Sequence, residues 1–379
     1  MRKREYLFIL AMIGIFLFVS CSKTDIVDDV EFKGSQLAEN EAQDTNEDKT
    51  VREETTVEEV TTEEKITEEI TTEEVVTTES SISETVTKEN VPEETTTKAS
   101  SGNSNSNEYI YTRNYNDKKS VQILGDLDVS NEELAKIEEL IKTYNRDMSF
   151  KVVSIDGSYG LSYNSDETYF SASSIKAPYL LYCHKQIDKG NGSLDEKMKY
   201  LSSYYKDGSG IMNKSPNGTE YTLAEIMRLV VWCSDNSGYY MCTKRWGTDG
   251  YNALMNSIGC DSLKISNSYI WADKINAHDL IAVWKNIYDY IESDAASSSH
   301  MYDICTDYKY NPLEDALPGY TIAQKYGTST TKDVFCDGAI IYGKKNTYIL
   351  AFFLDSTNDS KDKKFVTNLV KELNSIMDR

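Results

Sequence analysis

Ser173-Ser174-Ile175-Lys176-Ala177-Pro178 opens a helical pattern that runs to Asp188 and sets a serine and a lysine three positions apart on one helical face. A helix N-terminus favours negative charge developing beside such a serine. A lysine held away from water among apolar or cationic groups loses proton affinity and can act as a base. Upstream, Ser130-Asn131-Glu132-Glu133 reads as a capping box, with Leu134, Ile137, Ile141 and Tyr144 following at helical spacing. Residues 150–155 read as a strand, and Asp156-Gly157 as a turn into a second strand over 159–163. Downstream, Thr222-x-x-Glu225 caps a helix that runs through Ile226, Leu229 and Val230 toward Cys233, and further helices fit 250–258 and 277–292. The chain then returns to strands at 320–324, 334–342 and 347–354, and an amphipathic helix over 361–377 closes it. This order predicts an α+β fold, an α/β sandwich in which an antiparallel sheet carries helices on its faces and an all-helical subdomain lies between its strands.

Two further short segments carry chemistry. Ser234-Asp235-Asn236 follows the apolar run 229–232. Its hydroxyl can pass a proton toward a leaving nitrogen, and its amide can hold a substrate carbonyl. Lys325-Tyr326-Gly327-Thr328 continues the strand pattern of 320–324 and is expected on an edge strand. The glycine permits close approach of a ligand or a backbone, the lysine supplies a positive field, and the threonine supplies a hydroxyl. Each segment alone is a weak signal, since chance matches to four residues are common.

Together they form a set. Ser-x-x-Lys, Ser-x-Asn and Lys-x-Gly, in this order, resemble the three motifs of the penicillin-recognising serine enzymes: the class A β-lactamases and the related D-alanyl-peptidases. The second motif stands 61 positions after the first, close to the interval in class A enzymes, and the third follows 91 positions later. Lys206-Asp207-Gly208-Ser209-Gly210-Ile211 is similar to the Gly-Ser-Gly segment which that family carries between the first two motifs. The resemblance covers essentially all of 109–379 and implies a β-lactamase/transpeptidase-like fold. It also implies an acyl-enzyme formed through Ser173 with β-lactams or D-Ala-D-Ala peptides. Lys176 would be the base or proton relay, and Ser234 the shuttle to the departing nitrogen. Asn236 would bind the substrate amide, while Lys325 and Thr328 would hold the substrate carboxylate beside Gly327. The oxyanion hole would use the N–H groups of Ser173 and Thr328, and Asp235 would be a structural hydrogen-bonder. No cofactor and no metal is implied.

The pattern departs from the family in three places. Class A enzymes carry an Ω-loop glutamate that activates the deacylating water, and residues 259–276 contain no glutamate. Asp261 and Asp273 stand there as turn or capping residues. The middle residue of the third motif is Tyr326 rather than Ser or Thr, and no arginine lies near 337–341, where many class A enzymes place one for the substrate carboxylate. Acylation machinery is therefore expected to be complete and deacylation slow. The alternative is a catalytically inactive module of the same fold that binds cell-wall peptide.

The remaining sequence concerns location. Arg2, Lys3 and Arg4 precede an apolar run over 6–19 that ends in Val19-Ser20-Cys21, the pattern of a bacterial lipoprotein signal with lipid attached to Cys21. The run falls short of the roughly 20 residues that span a bilayer. Residues 22–107 repeat a Thr-Thr-x-Glu-Glu theme and have few large apolar side chains, so they read as a disordered, self-repelling tether before a folded domain at 108–379. The expected place is extracytoplasmic, anchored by lipid to the outer face of the bacterial cytoplasmic membrane, with the domain a monomer. The chain's formal charge is −22, and from Glu108 onward it falls to about a third of that, which speaks for solubility. Nothing basic and patterned points to nucleic acid. After Cys21, six cysteines remain (Cys183, Cys233, Cys242, Cys260, Cys305 and Cys336), either forming up to three disulfides or serving as small buried hydrophobes. His184, His278 and His300 with no Cys-x-x-Cys pair offer no zinc pattern.

Overall fold

The computed structural model describes residues 119–356 and 358–379. The expected signal at 1–21, lipidated Cys21, the tether at 22–107 and the first residues of the folded domain lie outside the described residues.

The chain begins with β1 (Gln122–Gly125), α1 (Asn131–Tyr144), β2 (Met148–Ser154) and β3 (Tyr159–Tyr163). A 3-10 turn (Ala172–Ile175) leads directly into α2 (Lys176–Asp188). A small hairpin of β4 (Lys197–Lys199) and β5 (Glu220–Thr222) precedes α3 (Leu223–Trp232), α4 (Asn236–Trp246) and α5 (Asp249–Ser257). After α6 (Ala277–Ile291) and α7 (Ser298–Thr306) come β6 (Thr321–Ser329), β7 (Val334–Tyr342), β8 (Thr347–Asp355) and α8 (Ser360–Met377).

Six strands form one antiparallel sheet in the order β1-β3-β2-β8-β7-β6. The expected α+β architecture is what forms. Side chains alternate across the sheet. On β8, Ile349, Ala351 and Phe353 enter a core shared with Leu180, Ile226 and Trp284 of the helical region, while Leu350, Phe352 and Leu354 pack with Ile137 of α1 and Val366 of α8. Covered on both faces, β8 reads as an almost continuous apolar run. Reciprocal capping boxes start three helices: Ser130 with Glu133, Thr222 with Glu225, and Asp359 with Asp362.

Several local expectations change. Ser173 sits in a 3-10 turn, and the α-helix starts only at Lys176. The third motif lies inside β6 at the sheet's edge, as expected. Helices α4 and α7 were not foreseen. The Asp235 side chain caps α4 by accepting from Gly238 N, a cap hidden inside the Ser-Asp-Asn motif. The six described cysteines are all free thiols, five of them buried, so they serve as small hydrophobes rather than as a disulfide framework. No helix among the described residues is long and apolar enough to cross a membrane.

Candidate active site

The turn that carries Ser173 is held from both sides. Tyr169 pairs with Ile275, Ser171 N donates to Ala272 O at 2.9 Å, and Ala272 N donates to Ser171 Oγ at 3.1 Å. Ala172 has a φ of 40°, a left-handed conformation that a residue with a Cβ adopts only under outside constraint. Ser173, next in the chain, is half-buried in the turn that leads into α2 while its neighbours on both sides are buried.

Lys176 is fully buried, one turn further on. Its Nζ meets four oxygens: Ser173 Oγ at 3.1 Å, Ser234 O at 2.5 Å, Ser234 Oγ at 3.0 Å and Asn236 Oδ1 at 2.7 Å. An ammonium has only three protons. The carbonyl of Ser234 and the amide oxygen of Asn236 can only accept, so they take two of them. The two hydroxyls can either accept or donate, and a neutral amine would also make three hydrogen bonds, donating to these two oxygens and accepting from one serine. Burial drives the Lys176 pKa well below its ordinary value, and the charge of Lys325 adds to this, against the opposing pull of Asp235. The rings of Trp271 and Tyr239 lie 5.4 and 5.9 Å from Nζ, and they complete a largely apolar wall.

The second motif is a built turn. Ser234 has a φ of 58°, between α3 and α4. Asp235, fully buried, accepts from the N–H groups of Ile211 at 2.6 Å, Met212 at 2.8 Å and Gly238 at 2.8 Å. Its carboxylate is fully used as a staple between the 206–211 segment and α4, the structural role expected of it. Gly210, with a φ of 120°, leaves the room for this, because a Cβ there would stand 2.3 Å from Asp235 Oδ2. Asn236 is fixed through Ser209 O, which accepts from its N at 2.9 Å, and through Asp207 O, which accepts from its Nδ2 at 2.7 Å.

The third motif closes the other wall. A Cβ on Gly327 would lie 2.6 Å from Ser173 N and 2.8 Å from Ser174 N, so β6 reaches the serine turn only because this residue is glycine. Lys325 is buried, and its Nζ donates to Tyr326 O at 2.7 Å. Burial lowers its pKa to about 8, with Asp337 opposing most strongly. Thr328 is exposed and Tyr326 half-buried, with the Tyr310 ring edge-on to Tyr326 at 5.0 Å.

The structure thus brings Ser173, Lys176, Ser234 and Asn236 into one hydrogen-bonded cluster and sets Gly327 against the Ser173 turn. It leaves Asp261 and Asp273 exposed. Two residues that sequence reasoning passed over border this region. Trp271 comes from the 259–276 segment, and Asp337 from β7. Only the register of β6 on β7 could have pointed to Asp337, which pairs with Tyr326. No group of His, Cys, Asp or Glu among the described residues is arranged to hold a metal.

Comparison with known proteins bears on the family and the fold. A family model described as the beta-lactamase enzyme family matches residues 134–377. Beta-lactamase VEB-1 of Pseudomonas aeruginosa is 30% identical over 125 residues, 32% of this chain, and the match spans only 42% of that protein's length. Among solved structures, PBP-A superposes with a TM-score of 0.57 at 19% identity, covering 64% of this chain and 95% of PBP-A. A beta-lactamase from Chitinophaga pinensis gives a TM-score of 0.58 at 22% identity, covering 64% of this chain and 98% of that one. A mutant of PBP-A solved as an acyl-enzyme complex with penicillin G gives 0.58 at 20% identity, covering 65% and 95%. At these identities the structural likeness speaks for the fold.

Proposed function

The chain belongs to the beta-lactamase enzyme family, and on that premise we propose that it is a serine hydrolase forming an acyl-enzyme through Ser173 with β-lactams or peptidoglycan stem peptides ending in D-Ala-D-Ala. The observation that carries this reading is the buried Lys176 amine, in contact with both Ser173 Oγ and Ser234 Oγ. The neutral amine takes the Ser173 proton as Oγ attacks the carbonyl carbon. The N–H groups of Ser173 and Thr328 receive the developing oxyanion. Asn236 orients the substrate amide. The proton passes from Lys176 to Ser234 and on to the departing nitrogen, and the acyl group stays on Ser173.

Hydrolysis of that ester needs an activated water. The 259–276 segment brings Trp271, not a carboxylate, beside Lys176. Slow deacylation follows, which suits a penicillin-binding peptidase better than a fast lactamase. A lipid anchor at Cys21 and an extended tether over 22–107 would place the domain outside the membrane, within reach of the wall.

Intact-mass spectrometry of the protein mixed with a penicillin, followed over time, tests the proposal. A persistent adduct on the wild type and none on Ser173→Ala is expected. An adduct that survives Ser173→Ala removes the nucleophile. Peptide binding with no covalent adduct on the wild type would instead make the chain a cell-wall peptide-binding module.

A further inference from the structure

The strip that carries Trp271 is fastened on either side of that residue. Before it, the Ile270 carbonyl accepts from the Tyr239 hydroxyl at 2.8 Å. After it, Ser171 N donates to Ala272 O at 2.9 Å, Ala272 N donates to Ser171 Oγ at 3.1 Å, and Ile275 pairs with Tyr169. Ile270, Ala272 and Ile275 are buried, while Trp271 between them is half-buried. Its ring lies 5.5 Å from the Tyr239 ring, 6.4 Å from the Phe170 ring and 5.4 Å from Lys176 Nζ, measured between centroids or to the nitrogen. The indole is thus held beside the amine by its own backbone and by two aromatic neighbours.

That amine is 3.1 Å from Ser173 Oγ, the atom that would carry the acyl group. Once its proton has left with the departing nitrogen, Lys176 is a neutral base beside an ester. A water there would complete hydrolysis: its oxygen attacks the ester carbon and Lys176 Nζ takes its proton. The same proton returns to Ser173 Oγ as the bond from carbon to Oγ breaks, releasing the acid. The absence of a glutamate from residues 259–276 therefore does not by itself leave the ester without a base. A water needs room and two or more polar partners. The oxygens around Nζ belong to Ser173, Ser234 and Asn236, and the rest of its surroundings include the Trp271 and Tyr239 rings, whose faces hold a water poorly.

We propose that Trp271 sets the lifetime of the acyl-enzyme: its clamped ring occupies the place beside Lys176 where a water would be activated, so hydrolysis is limited by the ring as well as by the missing glutamate. This rests on acylation at Ser173 as proposed above. It carries a consequence that a missing base alone does not. Taking the ring away speeds hydrolysis, although no acid is added to the site.

The test acylates the full chain with benzylpenicillin, removes the free drug and follows loss of the adduct by intact mass, in the wild type, Trp271→Ala and Trp271→Phe. Trp271→Ala is expected to lose the adduct about tenfold faster or more, part of the worth of a positioned base. Trp271→Phe keeps a ring in place and is expected to keep a long-lived adduct. A merely structural loss would not raise a rate. Should Trp271→Ala fail to fold, Tyr239→Phe removes only the hydroxyl that holds Ile270, and it is expected to shorten the lifetime about fivefold, the worth of one hydrogen bond. An unchanged or longer lifetime in a folded Trp271→Ala protein overturns the proposal, and so does an unchanged lifetime in Tyr239→Phe where that variant stands in. A wild-type adduct too short-lived to isolate overturns it as well. Absence of any adduct, fast or slow, removes the acylation reading itself, whereas a stable wild-type adduct that the variants leave unaltered removes only the role of Trp271.

Discussion

Lys176 Nζ grips Ser234 twice, at the carbonyl at 2.5 Å and at the hydroxyl at 3.0 Å, and so ties the first turn of α2 to the turn between α3 and α4. The carbonyl contact holds the amine in place, and the hydroxyl contact gives its proton somewhere to go. The φ of 58° at Ser234 accompanies an arrangement in which one residue offers both oxygens to the same nitrogen.

The rate of acylation therefore depends on a neutral Lys176. Its pKa lies well below the ordinary value because the charged form is desolvated and faces Lys325. The base form is the active one, so acylation is expected to fall as pH drops through the lowered pKa. Lys176→Ala should lose about 10²- to 10⁴-fold in acylation rate, the usual worth of a positioned base. Stopped-flow acylation across pH checks both. A Lys176→Ala protein that acylates at the wild-type rate would remove the lysine from the proton path.

Gly327→Ala tests the fit between β6 and the serine turn. The added methyl would meet backbone nitrogen at 2.6 Å, and backbone cannot step aside as a flexible side chain can. Overpacking of this kind costs about 1–3 kcal/mol. The strand is expected to move off Ser173, lowering the melting temperature and reducing acylation by at least about tenfold, since a shift of a fraction of an ångström spoils oxyanion geometry. Unchanged acylation would mean that β6 does not line the reacting centre.

Acid sensitivity should come from a histidine pair far from the chemistry. His184 is fully buried, with Nδ1 2.7 Å from Leu180 O and Nε2 2.9 Å from His300 Nδ1. Burial lowers its pKa to about 3 from 6.5, and the neighbouring His300 adds to this while the Leu180 carbonyl opposes it. The unfolded chain binds the proton first, so stability is present in full above pH 6.5 and declines as pH falls toward 3, by up to about 1.4 kcal/mol per pH unit. Urea unfolding at pH 7 and pH 5 should show the loss, and His184→Gln should flatten it. An identical slope in the variant would assign the acid sensitivity to other groups.

The architecture and most of the chemical set can be read along the chain. The apolar run of β8, the three capping boxes and the strand Val334–Tyr342 are local signals, written in side-chain period and hydrogen-bonding type. Ser173, Lys176, Ser234, Asn236 and Gly327 were legible because their motifs stand in order along the chain. The tertiary structure alone decided what surrounds them. Desolvation of Lys176 needs Trp271 and Tyr239, which come from distant segments, and the left-handed Ala172 is held by the strip 272–275. Asp337 looks on paper like any acid in a strand. It becomes a buried carboxyl opposite Tyr326 only when β6 pairs with β7 in this register, because burial depends on distance through space and not along the chain.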